Sequence, residues 1–451
     1  MITIDFETKS HADLKKVGAW AYSQHPTTDV ICLCWAVDDG TARWWYPGMN
    51  SDDSMPDELA IALRSDQIEA HNVAFEKSIW ENVLWRRYGW PTPRNNQWRD
   101  TMAVASYYAL PAGLDKLATV LGFGGKDPEG TRLISKYSKL NLKTAKEIIP
   151  PEDLQKFIKY CMKDVELERQ VSNFLGDLPD REIEIFHLDQ TINWRGMGLD
   201  QEGIAVATAL VQQCTNTLAD EFRKITGLAP TQHGKALQWF ASQGIILENL
   251  QAEYLEDLLE TFDWDFANLH CRRAVELRLE INKASTKKLA AMARQCGKDG
   301  RARFQTRYHG AATGRWTGGG FQPLNLHRGF DGVTPEQLVR DIMYGDAAWL
   351  DTLYGSAIAA ISKASRHWIV PAPEHILMSG DFASIEAVVL ACLAGEDWKV
   401  DAFRSGAKIY EVMADKIYNF APGTVTKGTH PQERQDGKVC ELAFGYQGGL
   451  N

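Results

Sequence analysis

The chain opens MITIDFETKS, an apolar run that carries two carboxylates two residues apart. In a strand, side chains at i and i+2 point the same way, so Asp5 and Glu7 project together while Ile4 and Phe6 project opposite. Like charges held that close repel. Either the acidic face is solvated, or a divalent cation that prefers oxygen ligands offsets the repulsion. Two carboxylates are too few for a two-metal centre, so the second reading requires further acids downstream.

At 451 residues the chain exceeds one ordinary hydrophobic core, and two or three domains are expected. An apolar content of 44% with 24% charged residues is that of a globular protein. The eight cysteines (Cys32, Cys34, Cys161, Cys214, Cys271, Cys296, Cys392, Cys440) never form C-x-x-C, which argues against a zinc cluster or a disulfide framework and for a reducing, intracellular setting. No run approaches the roughly 18 apolar residues of a membrane span, and the N-terminus lacks a signal peptide's basic region and apolar core. A net charge of −10 speaks against a general polyanion binder. Its distribution is uneven, however. From Ile281 to Arg328 ten Lys or Arg, among them Lys287, Lys288, Arg307 and Arg315, face one acid, Asp299. That segment is a candidate phosphate-backbone track, and its GAATGRWTGGG glycines would let a backbone lie close to a ligand.

Residues 1 to about 110 alternate strand-like pieces (ITIDF, DVICLCWAV, QIEAH) with helical ones (AFEKSIWENVLWRRY, DTMAVASYYAL), the pattern of an α/β domain. One long helix closes this part, with Pro150 and Pro151 at its start and Gly176 and Pro179 at its end. From about Arg181 the spacing of Leu and Ile predicts mostly helix, and beyond Arg301 a strand-like HILMSGDF precedes a helix SIEAVVLACLAGE. The further acids lie in the first part. AHNVAFEKSIWENVL sets Asn72 and Glu76 at a strand-to-helix junction, and Tyr160 and Asp164 share a face of the long helix beside the apolar stripe of Leu154, Ile158, Cys161 and Val165.

A strand D-x-E, a junction N-x-x-F-E and a helical Y-x-x-x-D, in that order, resemble the proofreading-type 3′-5′ exonucleases of the ribonuclease H-like fold, with their four acids and one tyrosine. The resemblance implies that Asp5, Glu7, Glu76 and Asp164 hold two metal ions, Mg²⁺ or Mn²⁺, and that Tyr160 helps orient the attacking water, with Asn72 on the DNA side. Glu76 departs from the pattern, which more usually has aspartate there; the extra methylene could move a ligand by roughly 1 Å.

RYHGAATGRWTGGGFQPLNLHR, SGDFASIEAVVLACLAGE and ERQDGKVCELAFGYQGG resemble three successive motifs of family A DNA polymerases of phage or prophage type. The implied organisation is an α/β ribonuclease H-like exonuclease domain over 1–178, a connector and mainly helical thumb over 179–300, the first part of an α+β palm with motif A over 301–400, and the start of the fingers over 401–451. By the same resemblance Asp381 binds the nucleotide's metal ions, Glu386 is the steric gate against a ribose 2′ hydroxyl, Arg434 and Lys438 bind the triphosphate, and Tyr446 lies near the nascent base pair. Arg315 and Asn325 match primer- or template-side residues. Leu442 stands where many members carry Phe or Tyr, Leu324 replaces a glutamine, His327 a proline and Val388 an arginine. DNA primer-template and deoxynucleoside triphosphates are the implied partners, in the cytoplasm of a bacterium or phage-infected host.

The family's second palm aspartate lies in an H-D-E tripeptide, and the 451 residues contain none. The expectation is therefore a C-terminally incomplete polymerase that retains its exonuclease and does not polymerise by itself, with a missing C-terminal fragment as a further partner. Two alternatives stand beside it: a free-standing 3′-5′ exonuclease whose polymerase remnant only grips DNA, and a non-catalytic primer-template binding remnant.

Overall fold

The computed structural model describes the protein except for residues 65, 126–127, 141–147, 283, 446–447 and 449–451, and describes backbone alone at 128–129 and 284–286. The chain divides into two compact units, Met1–His375 and Ile376–Asn451. The boundaries expected near residues 178 and 300 fall inside the first of these.

The opening segment forms β1 (Ile2–Lys9). After helix α1 (Leu14–Ser23), β2 (Asp29–Val37) returns antiparallel to β1 and is followed by the short β3 (Arg43–Trp45). On the other side of β1 lie β4 (Ile68–Ala70) and, after helix α2 (Val73–Ile79), β5 (Trp98–Asp100), both parallel to β1. The sheet order is β3-β2-β1-β4-β5, so the acid-bearing strand is central. The pleat does the sorting. Ile2, Ile4 and Phe6 of β1, with Leu33 and Trp35 of β2, enter a core with Trp45, Trp80, Trp90 and Trp98. Cys32, Cys34 and Ala36 of β2 face the opposite side, which a helix must cover.

Helix α3 (Thr101–Tyr107) follows β5, and α4 (Pro128–Leu133) precedes the covering helix α5 (Pro151–Leu175). Proline at the first position and Glu152 and Asp153 in the first turn suit the unpaired N–H groups of a helix start, and Gly176, at φ 71°, ends it. Phe157, Ile158, Cys161 and Val165 lie on the sheet against Ile31, Cys32, Cys34 and Ala36. The C-terminal end of α5 is tied down by Arg99 of β5. Its guanidinium pairs with Glu69 of β4 and Asp177 and donates to Ser172 Oγ at 2.6 Å, while Ser172 Oγ donates to Glu69 Oε2 at 2.7 Å.

The remainder of the first unit is mostly helical. Helix α6 (Asp180–Arg195) leads to β6 (Met197–Leu199) and α7 (Gln201–Thr226); α8 (Leu269–Ile281) and α9 (Ala284–Gln295) follow, then the two-residue strands β7 (Arg301–Ala302), β8 (Thr306–Arg307), β9 (Thr317–Gly318) and β10 (Ile369–Val370). Strands β10, β6 and β7 form a small antiparallel sheet over the core of α7 and α9, and β8 pairs with β9. The two parts of this unit meet through aromatic rings. Trp20 of α1 meets Trp194 of α6 edge-on at 5.0 Å, Arg303 lies 4.1 Å over Trp20, and Lys77 of α2 lies 4.4 Å over Trp194.

The second unit contains α10 (Ile385–Ala394), α11 (Ile409–Ile417) and α12 (Pro431–Gly445). The strand expected at HILMSGDF is absent: His375–Phe382 carries no ladder. Among the described residues no neighbouring strand takes up its backbone groups, and a strand without a partner is not stable in water. Ile376, Met378 and Phe382 are correspondingly 79%, 87% and 80% exposed.

Phe157 is fully buried where α5 meets β2. Phe157→Ala should cost about 3–5 kcal/mol, read as a lower urea midpoint at unchanged slope; a loss below ~1 kcal/mol would mean that α5 is not held by this contact.

Candidate functional site

The register of β1 on β2 sets Asp5 opposite Cys34 and Glu7 opposite Cys32, so both carboxylates rise on the face that α5 covers. A register shift follows directly, between Glu7 and Thr8. From above, α5 brings Asp164, three residues beyond Cys161 of the packed stripe. One carboxylate oxygen from each of Asp5, Glu7 and Asp164 lies within 4.8 Å of the others, with Glu7 and Asp164 buried. Glu76, at the end of the first turn of α2, is 4% exposed and stands outside this trio. Its backbone setting is built by Asp100, whose Oδ1 accepts from Asn72 N at 3.0 Å and whose Oδ2 accepts from Val73 N at 3.2 Å. Asn72 itself takes the left-handed conformation, φ 78°, at the N-cap of α2, with its side chain exposed. Burial pushes the Asp100 carboxyl up to about 6 against the main-chain N–H groups of Asn72, Met102 and Val73, which favour its ionised form.

Tyr160, one turn before Asp164, is buried with its ring against α4. A Cβ at Gly130 would come within 2.1 Å of Tyr160 Cε2, so only glycine leaves room for the ring where it stands.

One acid of this region was missed in the sequence. Glu168 continues the helical spacing of Tyr160 and Asp164 by a further turn, and that i, i+4 spacing was the available signal. It is 1% exposed and its Oε1 accepts from Thr101 Oγ1 at 3.1 Å. Burial, followed by the charges of Asp5 and Glu76, raises its carboxyl far above the usual carboxylate range. The charges of Asp5 and Glu76 thus give the Glu168 position a negative potential. An all-carboxylate oxygen set in a negative potential suits a hard divalent cation, so the residues fit Mg²⁺ or Mn²⁺.

The basic segment divides. Arg307, Arg315, Asn325 and Lys287 are exposed, and Lys288 donates to Asn325 O at 2.6 Å. Arg301 and Arg303, counted with the track, instead turn inward: Arg301 donates to the carbonyls of Arg195 and Gly196, and Arg303 to that of Trp194 while pairing with Asp299 at 2.7 Å. Carbonyls at the end of α6 need donors, and these two arginines supply them.

In the second unit Asp381 and Glu386 are exposed, Glu386 in the first turn of α10. Arg434, Lys438 and Leu442 lie along α12; Tyr446 is outside the described residues. The stripe is without an acid in sequence, yet Arg434 has an acidic partner. Glu411 of α11 lies 3.4 Å from its Nε, a contact between helices that spacing along one helix could not reveal.

No protein-family model matches the sequence. The chain is similar to the DNA polymerase of Bacillus phage SP02, 32% identical over 467 aligned residues that cover 99% of this chain and 69% of the phage protein. In fold it is similar to the POL domain of Pol1 from M. smegmatis, solved in complex with DNA primer-template and dNTP, at a TM-score of 0.55 and 15% identity, over 100% of this chain and 68% of that one.

Two expectations follow from the geometry. Because the folded Glu168 carboxyl titrates above its unfolded value, the stability it supports is present at acid pH and lost as pH rises through the folded value. In metal-free protein the urea midpoint of Glu168→Gln, relative to wild type, should therefore rise with pH; parallel profiles would contradict the raised carboxyl. Gly130→Ala should force the Tyr160 ring aside and lower the urea midpoint at unchanged slope; an unchanged midpoint would show that the ring is not held there.

Proposed function

The chain belongs to the family A DNA polymerases, and on that premise we propose that its first unit carries a 3′-5′ exonuclease of the ribonuclease H-like kind that removes nucleotides from a primer end. The observation that carries this reading is the convergence of Asp5, Glu7 and Asp164 within 4.8 Å on one face of a central strand. Support also comes from the sheet, in which β2 alone runs against β1, β3, β4 and β5, with α5 laid across it.

Asp5, Glu7 and Asp164, with Glu76 at their margin, would hold Mg²⁺ or Mn²⁺, two ions per site. Bound there, the metal supplies a nucleophile at neutral pH and charge neutralisation at the scissile phosphate. The protein's own groups do the rest. Tyr160, clamped by Gly130, orients a water at the primer end, and Asp100 fixes the turn that aims Glu76. The junction at Asn72, the exposed Arg307, Arg315, Asn325 and Lys287, and the half-buried Lys288 meet the DNA backbone.

Polymerase chemistry belongs in this reading to the second unit, with Asp381 as metal carboxylate, Glu386 and Leu442 at the sugar, Tyr446 near the base pair, and Arg434 and Lys438 on the triphosphate. A phosphate oxygen would displace Glu411 from Arg434, an exchange of one charge-assisted contact for another. The setting is the cytoplasm of a bacterium or of a phage-infected cell; among the described residues no helix is long and apolar enough to cross a membrane.

The test is a 5′-labelled primer on a template, incubated with Mg²⁺ with and without all four deoxynucleotides. The primer should shorten when deoxynucleotides are absent, and Asp5→Ala with Glu7→Ala should abolish the shortening, while Tyr160→Phe should slow it on the order of 10²-fold. Folded protein that leaves the primer intact in the absence of deoxynucleotides would refute the exonuclease.

A further inference from the structure

Beside the carboxylates, on the same face of the sheet, lies a second cluster of a different chemistry. Cys32 and Cys34 of β2 and Cys161 of α5 each place a sulfur within 4.8 Å of the other two, and all three residues are 0% exposed. The juxtaposition arises from two periodicities. C-x-C on a strand puts both thiols on one face, and the helix laid across that face presents a third. The Cys161 thiol donates to the carbonyl of Asp5 at 3.3 Å and the Cys34 thiol to that of Ile158 at 3.6 Å.

We propose that Cys32, Cys34 and Cys161 form a binding site for one thiophilic metal ion of the Zn²⁺ class, bridging β2 and α5 beside the carboxylate centre. The distances allow it. A Zn–S bond of about 2.3 Å separates the sulfurs of a three-thiolate set by about 4 Å, so the observed spacing needs to contract by less than about 1 Å. The donor sets also separate the two sites by hardness. Sulfur selects soft and borderline ions, whereas the oxygens of Asp5, Glu7 and Asp164 select Mg²⁺ or Mn²⁺. The thiol protons pass to solvent on binding, leaving three thiolates around the cation.

The site has a mechanical consequence. Cys32 and Cys34 pair in register with Glu7 and Asp5, and Cys161 lies between Tyr160 and Asp164 in the chain. A metal there would clamp β2 to α5 at the level where the carboxylates converge.

The probe is Cd²⁺, whose thiolate complexes absorb in the ultraviolet, added to the full 451-residue chain in excess Mg²⁺. One equivalent should produce the thiolate-to-cadmium band and raise the melting temperature by several degrees. The band should persist in Asp5→Asn with Glu7→Gln, which separates this site from the carboxylate centre, and in Cys392→Ser with Cys440→Ser. Cys34→Ser should lose both band and thermal shift; should that variant fail to fold by circular dichroism, Cys161→Ala provides the same comparison with a smaller side chain. No band at one equivalent, or a band undiminished in a folded Cys34→Ser or Cys161→Ala protein, overturns the proposal.

Discussion

The antiparallel pairing of β1 with β2, covered by α5, is the constraint on which the first unit depends. Strand residues alternate between faces, so a register that sends Ile4, Phe6, Leu33 and Trp35 into the tryptophan-rich core obliges Asp5, Glu7, Cys32 and Cys34 to the other side. A slip of one residue would bury both carboxylates among four indoles. The apolar stripe of α5 then determines which of its residues stand over the acids. Packing therefore selects the partners of Asp5 and Glu7; the acids themselves repel, and hydrophobic burial at Phe157, Ile158 and Val165 holds them together.

Charge is managed by position. Where Glu69 of β4 is buried, Arg99 pairs with it directly and fastens the end of α5. Around Asp5 and Glu76 the repulsion is instead carried by Glu168, which burial and neighbouring charge hold near its neutral form. A buried ion pair and a protonated acid are two solutions to one desolvation problem. The second leaves a potential that a cation can relieve.

Much of this was legible in the residues. Alternation and turn residues located β1, β2, β4 and α5, and the i, i+4 spacing put Tyr160 and Asp164 on one face. Other features depended on contacts between elements remote in sequence. Arg301 and Arg303 count as free cations until the end of α6 is brought beside them. Arg434 has no acid on its own helical stripe but gains Glu411 from another helix. HILMSGDF has strand composition, yet composition cannot supply a neighbour for its backbone. The absence of C-x-x-C argued against a metal-binding cysteine cluster, but spacing rules describe ligands on one loop, and here strand and helix contribute from 127 residues apart.

The sequence by itself determined the family, through three ordered motifs of the second half, and determined which side chains could share a face, because strand and helix periods are properties of the local backbone. Only the tertiary structure decided that Asp164 meets Asp5 and Glu7, that Glu168 and Gly130 belong to the same site, and that three scattered thiols lie together. Those outcomes depend on register and on the placement of one helix on one sheet. Both are set by burial summed over many residues, which no short stretch of sequence contains.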